Sequence, residues 1–128
     1  MPEFAQFVAV TAADNPFRLP DPNTGDIDVT FPNIDLANLD QNRTAVALFK
    51  IAGQGFVTLR MRFNSGNDHI VDFLSTPDAT RTWHEVFPGS DLRASNNELT
   101  ISVERVNVLG SGSVMLSDIV IFYHARIP

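Results

Sequence analysis

The segment 56–63, FVTLRMRF, constrains the fold more than any other part of the sequence. From residue 57 onward its residues alternate strictly, with Val57, Leu59, Met61 and Phe63 in one set and Thr58, Arg60 and Arg62 in the other. Residues two apart lie on the same face of a β-strand, so the alternation predicts a strand with one buried and one solvated face. Such strands are typical of an antiparallel sheet that covers a core on one side.

Segments of this kind recur along the chain and are separated by turn-forming residues. Apolar, β-branched and aromatic residues are concentrated at 4–10, 27–31, 43–51, 56–63, 69–74, 81–87, 98–108 and 114–127, and no segment shows a convincing helical period. This pattern predicts an all-β fold, and we expect an antiparallel β-sandwich with jelly-roll topology and about eight strands. The 128 residues show no linker or internal repeat, so we expect a single domain spanning 1–128.

The connections between these segments carry expectations of their own. Segment 15–26 contains three prolines and cannot be a central strand. Segment 32–42 is expected to be a loop, and AGQG at 52–55 a turn. In the hairpin loop NSGND at 64–68, Gly66 is expected to take a positive φ, because glycine has no Cβ to oppose it.

Composition argues against several functions and locations. The formal net charge is −6, with 15 acidic against 9 basic residues, which disfavours nucleic-acid binding through a basic face. No apolar run approaches the roughly 20 residues of a membrane helix, so no membrane insertion is expected. The sequence has no cysteine, and its start, MPEFAQFVAV, lacks the features of a signal peptide. These features favour a cytoplasmic or particle-associated location, with an extracellular one as the alternative.

The last third of the sequence resembles the closing strands of galactose-binding-like jelly rolls. The resemblance is carried by TWHEVFPGSDLRASNNELTISV and GSVMLSDIVIFYHA, through Leu92, Asn97, Leu99, Ile101, Val103, Ser117, Asp118, Ile119, Val120 and Tyr123. Many domains of this type are carbohydrate-binding modules, and jelly-roll modules often carry a structural Ca²⁺. The resemblance therefore implies a lectin-like, non-catalytic role with a glycan as ligand, although this sequence shows no linker and no attached enzyme.

Trp83 and His84 are one candidate ligand-binding pair. An indole ring can stack on a sugar, and His84 could add a polar contact. Strand alternation, however, places the two side chains on opposite faces, so the rival interpretation is that Trp83 anchors the core. The aromatic residues are 10 Phe, 1 Trp and 1 Tyr, which predicts core filling rather than a large aromatic platform for sugars.

Arg60 and Arg62 form a second candidate site on the polar face of one strand. Guanidinium groups suit the carboxylate or sulfate of an acidic sugar. The rival interpretation is that the arginines pair across strands with Asp72 or Glu104. Asp72 is therefore either part of this site or a structural partner in it.

The segment DPNTGDID is the candidate metal site. It offers hard oxygen ligands of the kind that Ca²⁺ prefers, on Asp21, Asn23, Asp26 and Asp28. It lacks the full twelve-residue calcium-loop pattern and its closing glutamate. Because Asp, Asn, Pro and Gly are also turn formers, an ordinary turn without any cofactor is the alternative.

No motif indicates catalysis. The three histidines lack zinc spacing, and the sequence has neither a nucleophile elbow nor a phosphate-binding loop. A chain without long loops also leaves little room for a deep cleft. We therefore do not expect an enzyme.

The segments 43–51 and 114–127 are apolar on both faces, unlike a strand with one solvated face. Either the loop 32–42 covers an outer face of the sandwich, or another subunit does, and we favour a homo-oligomer. Two functions follow from the sequence. The first is a non-catalytic module that binds a glycan or another small polar ligand, and the alternative is a self-assembling structural subunit of a larger oligomer or particle.

Overall fold

A computed structural model of the chain describes residues 3–11, 16–75, 80–105 and 112–126, with the backbone alone at 3, 54–57, 71–75 and 105. The described strands are β1 Glu3–Ala9, β2 Phe17–Leu19, β3 Asp28–Ile34, β4 Ala45–Phe63, β5 His69–Ser75, β6 Thr80–Phe87, β7 Asn97–Arg105 and β8 Ser113–Arg126. A short 3₁₀ turn, Gly89–Asp91, precedes β7. None of the described residues belongs to a helix long and apolar enough to cross a membrane.

The strands form two antiparallel sheets. In the first sheet, β8 pairs with β1 and β2 on one side and with the first half of β4 on the other, and β6 lies beyond β4. In the second sheet, β7 lies between β3 and the second half of β4, and β5 lies beyond β4. This interleaved order is that of a jelly roll, so the predicted fold class is confirmed.

The expected turn at 52–55 is wrong, because β4 continues through it as one strand of 19 residues. Ala52 and Gln54 still pair with β8, while Gly55 already pairs with Ser75 of β5. The chain thus passes from one sheet to the other without reversing. Glycines inside a strand favour such a bend at the corner of a sandwich, since they have no side chain to obstruct it. The predicted strands 43–51 and 56–63 are therefore a single strand. The total is still eight, because β2 is a strand that the sequence did not predict.

The core lies between the inner faces of the two sheets. The second sheet contributes Leu59, Met61 and Phe63, which the alternation of 57–63 predicts to be inside, together with Leu99, Ile101 and Val103. The first sheet contributes Phe49, Ile51, Leu116, Ile119 and Ile121. Phe63 and Phe87 meet edge to face across the core, with ring centroids 4.7 Å apart.

The phenylalanines do not all fill the core as their number predicts. Phe49, Phe63 and Phe87 are buried, but Phe7 is 68% exposed and Phe122 is 40% exposed. Both exposed rings lie on the outer face of the first sheet, because their neighbours in β8, such as Ile121, point inward.

The loop expected at 32–42 begins later than predicted, because β3 continues to Ile34. Leu36 is buried, and Leu39 forms a β-bridge with Ala125 at the end of β8. The Tyr123 hydroxyl lies 3.1 Å from the carbonyl oxygen of Ala37 and donates a hydrogen bond to it. The loop therefore closes one end of the sandwich in line with the first sheet, and it does not cover that sheet's outer face.

Gly66 does not take the expected positive φ. Asn64 takes it instead, at 55°, and its side chain donates a hydrogen bond to the carbonyl oxygen of Asp91 at 2.8 Å. Asn and Gly are the residues that most readily adopt this conformation, and here the first residue of the loop does so. A Cβ at position 66 would lie 2.8 Å from Cγ of Asp91, so a larger residue there would displace that side chain.

Candidate functional site

A cavity of about 1000 Å³ opens beside the second sheet. One wall is the loop after β2, through Pro20, Asp21, Pro22 and Gly25, and the other is the polar face of β4 and β7, through Arg60, Ser102 and Glu104. Ile27, Val103, Gly112 and Ser113 complete the lining. The structure thus brings the predicted metal loop and the predicted arginine face to one place.

Hydrogen bonds to backbone amides within the loop after β2 hold the conformation of this wall. Asp21 Oδ1 accepts hydrogen bonds from the amides of Asn23, at 2.8 Å, and Thr24, at 3.3 Å. The amide of Asp21 donates to the carbonyl oxygen of Asp26 at 2.8 Å, and Gly25 takes a φ of 78°. These are the contacts of an Asx-type turn, in which the carboxylate satisfies backbone donors.

The calcium site finds no support in this geometry. Among the described residues, no three His, Cys, Asp or Glu side chains converge to hold a metal ion. Of the four predicted ligands, only Asp21 lines the cavity, and its carboxylate already accepts backbone hydrogen bonds. The alternative interpretation, a turn, matches Asn23 and Asp26, whose amides donate hydrogen bonds within the loop, whereas Asp28 begins β3.

The strand wall is organised by an ion pair. Register places Arg60 opposite Ser102, and Nη2 of Arg60 lies 2.7 Å from Oε2 of Glu104 on the adjacent strand β7. Arg60 also lies 3.9 Å from Asp68. The expected cross-strand pairing with Glu104 is therefore present, and it holds the guanidinium at the cavity wall.

The charge of the cavity argues against an acidic ligand. Its described lining holds the carboxylates of Asp21 and Glu104 but only one cationic group, that of Arg60. Arg60 is already paired, so an incoming carboxylate or sulfate would compete with Glu104 and meet Asp21 as a like charge. The hydroxyls of Ser102 and Ser113 are neutral hydrogen-bonding groups, so the set suits a neutral polyhydroxy ligand.

Arg62 does not line the cavity. It lies two residues along β4 from Arg60, on the same face, and its guanidinium is 3.9 Å from Asp68. Asp72 lies opposite Thr58 in the register of β4 and β5, and its side chain is outside the described part of the chain. Of the two predicted arginines, Arg60 lines the cavity and Arg62 does not.

Trp83 and His84 lie apart from the cavity and from each other. The Trp83 side chain is half-buried against the core, and its Nε1–H donates to Oε1 of Glu85 at 3.0 Å. His84 is exposed on the opposite face, across from Leu48. Glu85 also lies 3.9 Å from His69 of the other sheet, so the two sheets approach each other at this edge. The interpretation of Trp83 as an anchor matches this geometry.

Ser102, Ile27 and Ser113 are cavity residues that the sequence did not identify. Alternation along β7 places Ser102 and Glu104 on the same face, but it does not show that Arg60 of β4 lies next to them. That information is in the register between β7 and β4, and register depends on long-range pairing.

No family model matches the chain, and no curated protein matches its sequence. Among solved structures, the carbohydrate-binding module TmCBM61 in complex with β-1,4-galactotriose is similar, with 16% identity, a TM-score of 0.44, and coverage of 98% of this chain and 89% of that one. The infectious bursal disease virus T13 particle and VP2 subviral particle are similar at 13% identity, with TM-scores of 0.43 and 0.40.

This chain spans only 36% and 38% of those two viral chains. At these identities and TM-scores the likeness does not extend to function, and the fold assignment rests on the strand order itself.

Proposed function

We propose that residues 1–128 form a single non-catalytic binding module that holds a neutral glycan in the cavity between the β2–β3 loop and β4–β7. The observation that carries the proposal is the cavity itself. Its volume of about 1000 Å³ lies at the upper end of small-ligand sites, which suits a short oligosaccharide. Its polar groups lie on strands and on a hydrogen-bonded turn, so they lose little conformational freedom when a ligand binds.

Each polar group has a defined role toward a sugar. Glu104 and Asp21 accept hydrogen bonds from hydroxyls, and Arg60 donates to hydroxyl or ring oxygens. Hydrogen bonds with one charged partner are stronger than neutral ones, and they are specific in direction. The apolar side chain of Ile27, which is 54% exposed, offers a surface for the C–H face of a sugar ring.

The two carboxylates of the cavity are binding groups rather than an acid and a nucleophile. Glu104 is engaged by Arg60 at 2.7 Å, and Asp21 is engaged by two backbone amides. A glycosidase needs one carboxyl group free to give its proton to the leaving oxygen and another facing the sugar ring. Neither group is free in that sense, which supports a non-catalytic role.

A glycan array tests the proposal with a matched pair of variants. Arg60 and Arg62 lie on the same strand face, but only Arg60 lines the cavity. We expect the native chain to bind neutral oligosaccharides, with β-1,4-galactotriose among the first probes. Arg60→Ala should weaken binding by about tenfold, on the order of one charge-assisted hydrogen bond, while Arg62→Ala should bind as the native chain does.

Equal loss in the two variants, or binding of acidic glycans alone, would contradict the proposed cavity site. A native chain that binds no glycan would contradict the proposed function as a whole.

The second candidate function, a self-assembling structural subunit, is favoured by one observation. The outer face of the first sheet exposes Phe7, Phe122 and Val86. Exposed apolar side chains that cluster on one face mark sites of protein contact more often than scattered ones do.

A further inference from the structure

A row of apolar side chains crosses the outer face of the first sheet from edge to edge. The register sets Phe7 of β1 opposite Phe122 of β8, Phe122 opposite Val46 of β4, and Val46 opposite Val86 of β6. Directly opposed residues point to the same face of a sheet, so the four side chains form one continuous strip. We call this strip the apolar row.

The apolar row is open to solvent. Phe7 is 68% exposed, Val86 is 48% exposed and Phe122 is 40% exposed. The rings of Phe7 and Phe122 lie 5.9 Å apart and shield each other only in part. The next row across the sheet continues the surface with Ala9, Val120, Leu48 and His84.

The loop 32–42 leaves this face open. It pairs in line with β8, through the bridge between Leu39 and Ala125, rather than lying over the sheet. Within the described part of the chain, no segment packs on the apolar row. The segments 43–51 and 114–127 are apolar on both faces, so whatever covers their outer face must come from outside the described residues.

Charge distribution favours a second copy of this chain as the cover. The chain has a net charge of −6, so two copies repel each other wherever charged faces meet. Lys50, which lies on the same face of β4 as Val46, pairs with Asp118 at 3.2 Å. The outer face of the other sheet, by contrast, carries Arg60, Arg62, Asp68 and Glu104. The four side chains of the apolar row carry no charge, so two acidic chains can bring their apolar rows together without opposing like charges along them.

The area of the face is sufficient for a small dimer. Four strands spaced about 4.8 Å apart and about 30 Å of strand length give a face on the order of 600 Å². A small specific interface buries roughly 600–800 Å² of each partner. The contact is therefore of the size expected for a reversible dimer rather than for a permanent one.

We infer that two copies of this chain pack face to face through the apolar row, related by a two-fold axis. In such a contact the same patch serves both subunits, so an apolar strip that is continuous across the sheet can meet its own copy. The two cavities then remain open on the outer sides of the pair. The inference rests on the self-assembly candidate and is independent of sugar binding.

Sedimentation equilibrium at concentrations on the order of 100 µM tests the inference, because a small interface is expected to associate in that range. The native chain should sediment as a dimer. Val86→Lys and Phe122→Lys should sediment as monomers, since each would bury a charge in the contact. Ile70→Lys is the matched control: Ile70 is 56% exposed but lies on the other sheet, so this variant should remain dimeric.

The Val86→Thr variant distinguishes loss of the contact from misfolding of the lysine variants. Threonine keeps the branched shape of valine and its preference for strands, so the variant should fold and dissociate several-fold more readily. A native chain that is monomeric at every concentration overturns both the dimer and the self-assembly candidate, and leaves the face to a different partner. An oligomer that both lysine variants leave unchanged overturns the apolar row as the contact while the chain still self-assembles.

Discussion

Asn97 shows how one side chain holds an end of the sandwich together. It is fully buried, and its Nδ2 donates to the carbonyl oxygens of Ile34, at 2.9 Å, and Arg93, at 2.6 Å. Its Oδ1 accepts from the amide of Arg93 at 2.8 Å and from Nδ2 of Asn64 at 3.0 Å. A single amide group thus joins β3, β7 and the hairpin after β4. This is the asparagine of the resemblance to galactose-binding-like domains, and the role it has here is structural.

Asn97→Ala should lower the free energy of unfolding by about 3 kcal/mol, because it leaves several buried backbone groups without partners. Urea denaturation measures the effect. Asn67→Ala is the control, since Asn67 is exposed in the neighbouring hairpin and its loss should cost less than about 0.5 kcal/mol. Equal stability of the two variants would contradict the role assigned to Asn97.

Tyr123 makes the protein sensitive to alkaline pH. Burial raises the pKa of its hydroxyl, because the charged phenolate is poorly solvated there. The unfolded chain releases this proton near pH 10, before the folded chain does. Stability from this group is therefore complete below about pH 10 and is lost as the pH rises further.

The sequence contains one tyrosine, so absorbance of the phenolate reports on Tyr123 alone. We expect the absorbance of the folded chain to rise at a higher pH than that of the chain in concentrated denaturant. The Tyr123→Phe variant should show no such rise. Identical titration midpoints in the folded and unfolded chains would disprove the raised pKa.

At the scale of secondary structure, the 3₁₀ turn Gly89–Asp91 packs against the loop before β4. A Cβ on Gly89 would overlap the carbonyl oxygen of Arg43 and would lie 2.7 Å from that of Gln41. Both atoms belong to the backbone, so neither can rotate away. The two segments can approach this closely only with glycine at position 89.

Gly89→Ala should therefore destabilise the fold by about 3 kcal/mol or more, as overpacking against fixed atoms does. Gly25→Ala is the matched comparison. Gly25 has a φ of 78° but open space around it, so alanine there should cost only about 1 kcal/mol of backbone strain. Thermal or urea unfolding of the two variants checks the order, and a smaller loss for Gly89→Ala would contradict the packing described.

The elements were largely predictable, because alternation depends on local sequence. The strict pattern of 57–63 identified the inner residues of β4, and its described members Leu59, Met61 and Phe63 are buried. The continuity of β4 through 52–55 was not predictable, since AGQG is typical of a turn and only the pairing of both halves keeps it extended. Residues 106–108, which were expected to extend β7, lie outside the described residues.

The site was less predictable than the fold. Arg60 and Asp21 were both candidates, but for two different sites, and only the register of β4 with β7 and the path of the β2–β3 loop bring them to one cavity. For the arginine face the sequence left two interpretations open, an acidic-sugar site and pairing with Asp72 or Glu104, and the structure shows Arg60 paired with Glu104. Glu104 and Asp68, which lie within 4 Å of Arg60, change the chemistry of that face.

At the scale of the whole molecule, the two sheets have different outer faces. The outer face of the second sheet carries charged and hydroxyl side chains and borders the cavity, whereas that of the first sheet exposes the apolar row. The proposed ligand site and the proposed contact between two copies therefore lie on opposite sides of one sandwich. A dimer formed through the apolar row would present two cavities and could bind a repeating glycan with greater avidity than one copy.

Amide chemical shifts in the ¹⁵N-labelled chain, followed during titration with the neutral oligosaccharides that bind in the glycan array, test the central claim most directly. We predict that the shifts concentrate on the cavity lining, at Asp21, Gly25, Ser102 and Glu104, and leave Val86 and Phe122 unchanged. Shifts confined to Trp83 and His84, or to the apolar row, would contradict the assignment of the ligand site to the cavity.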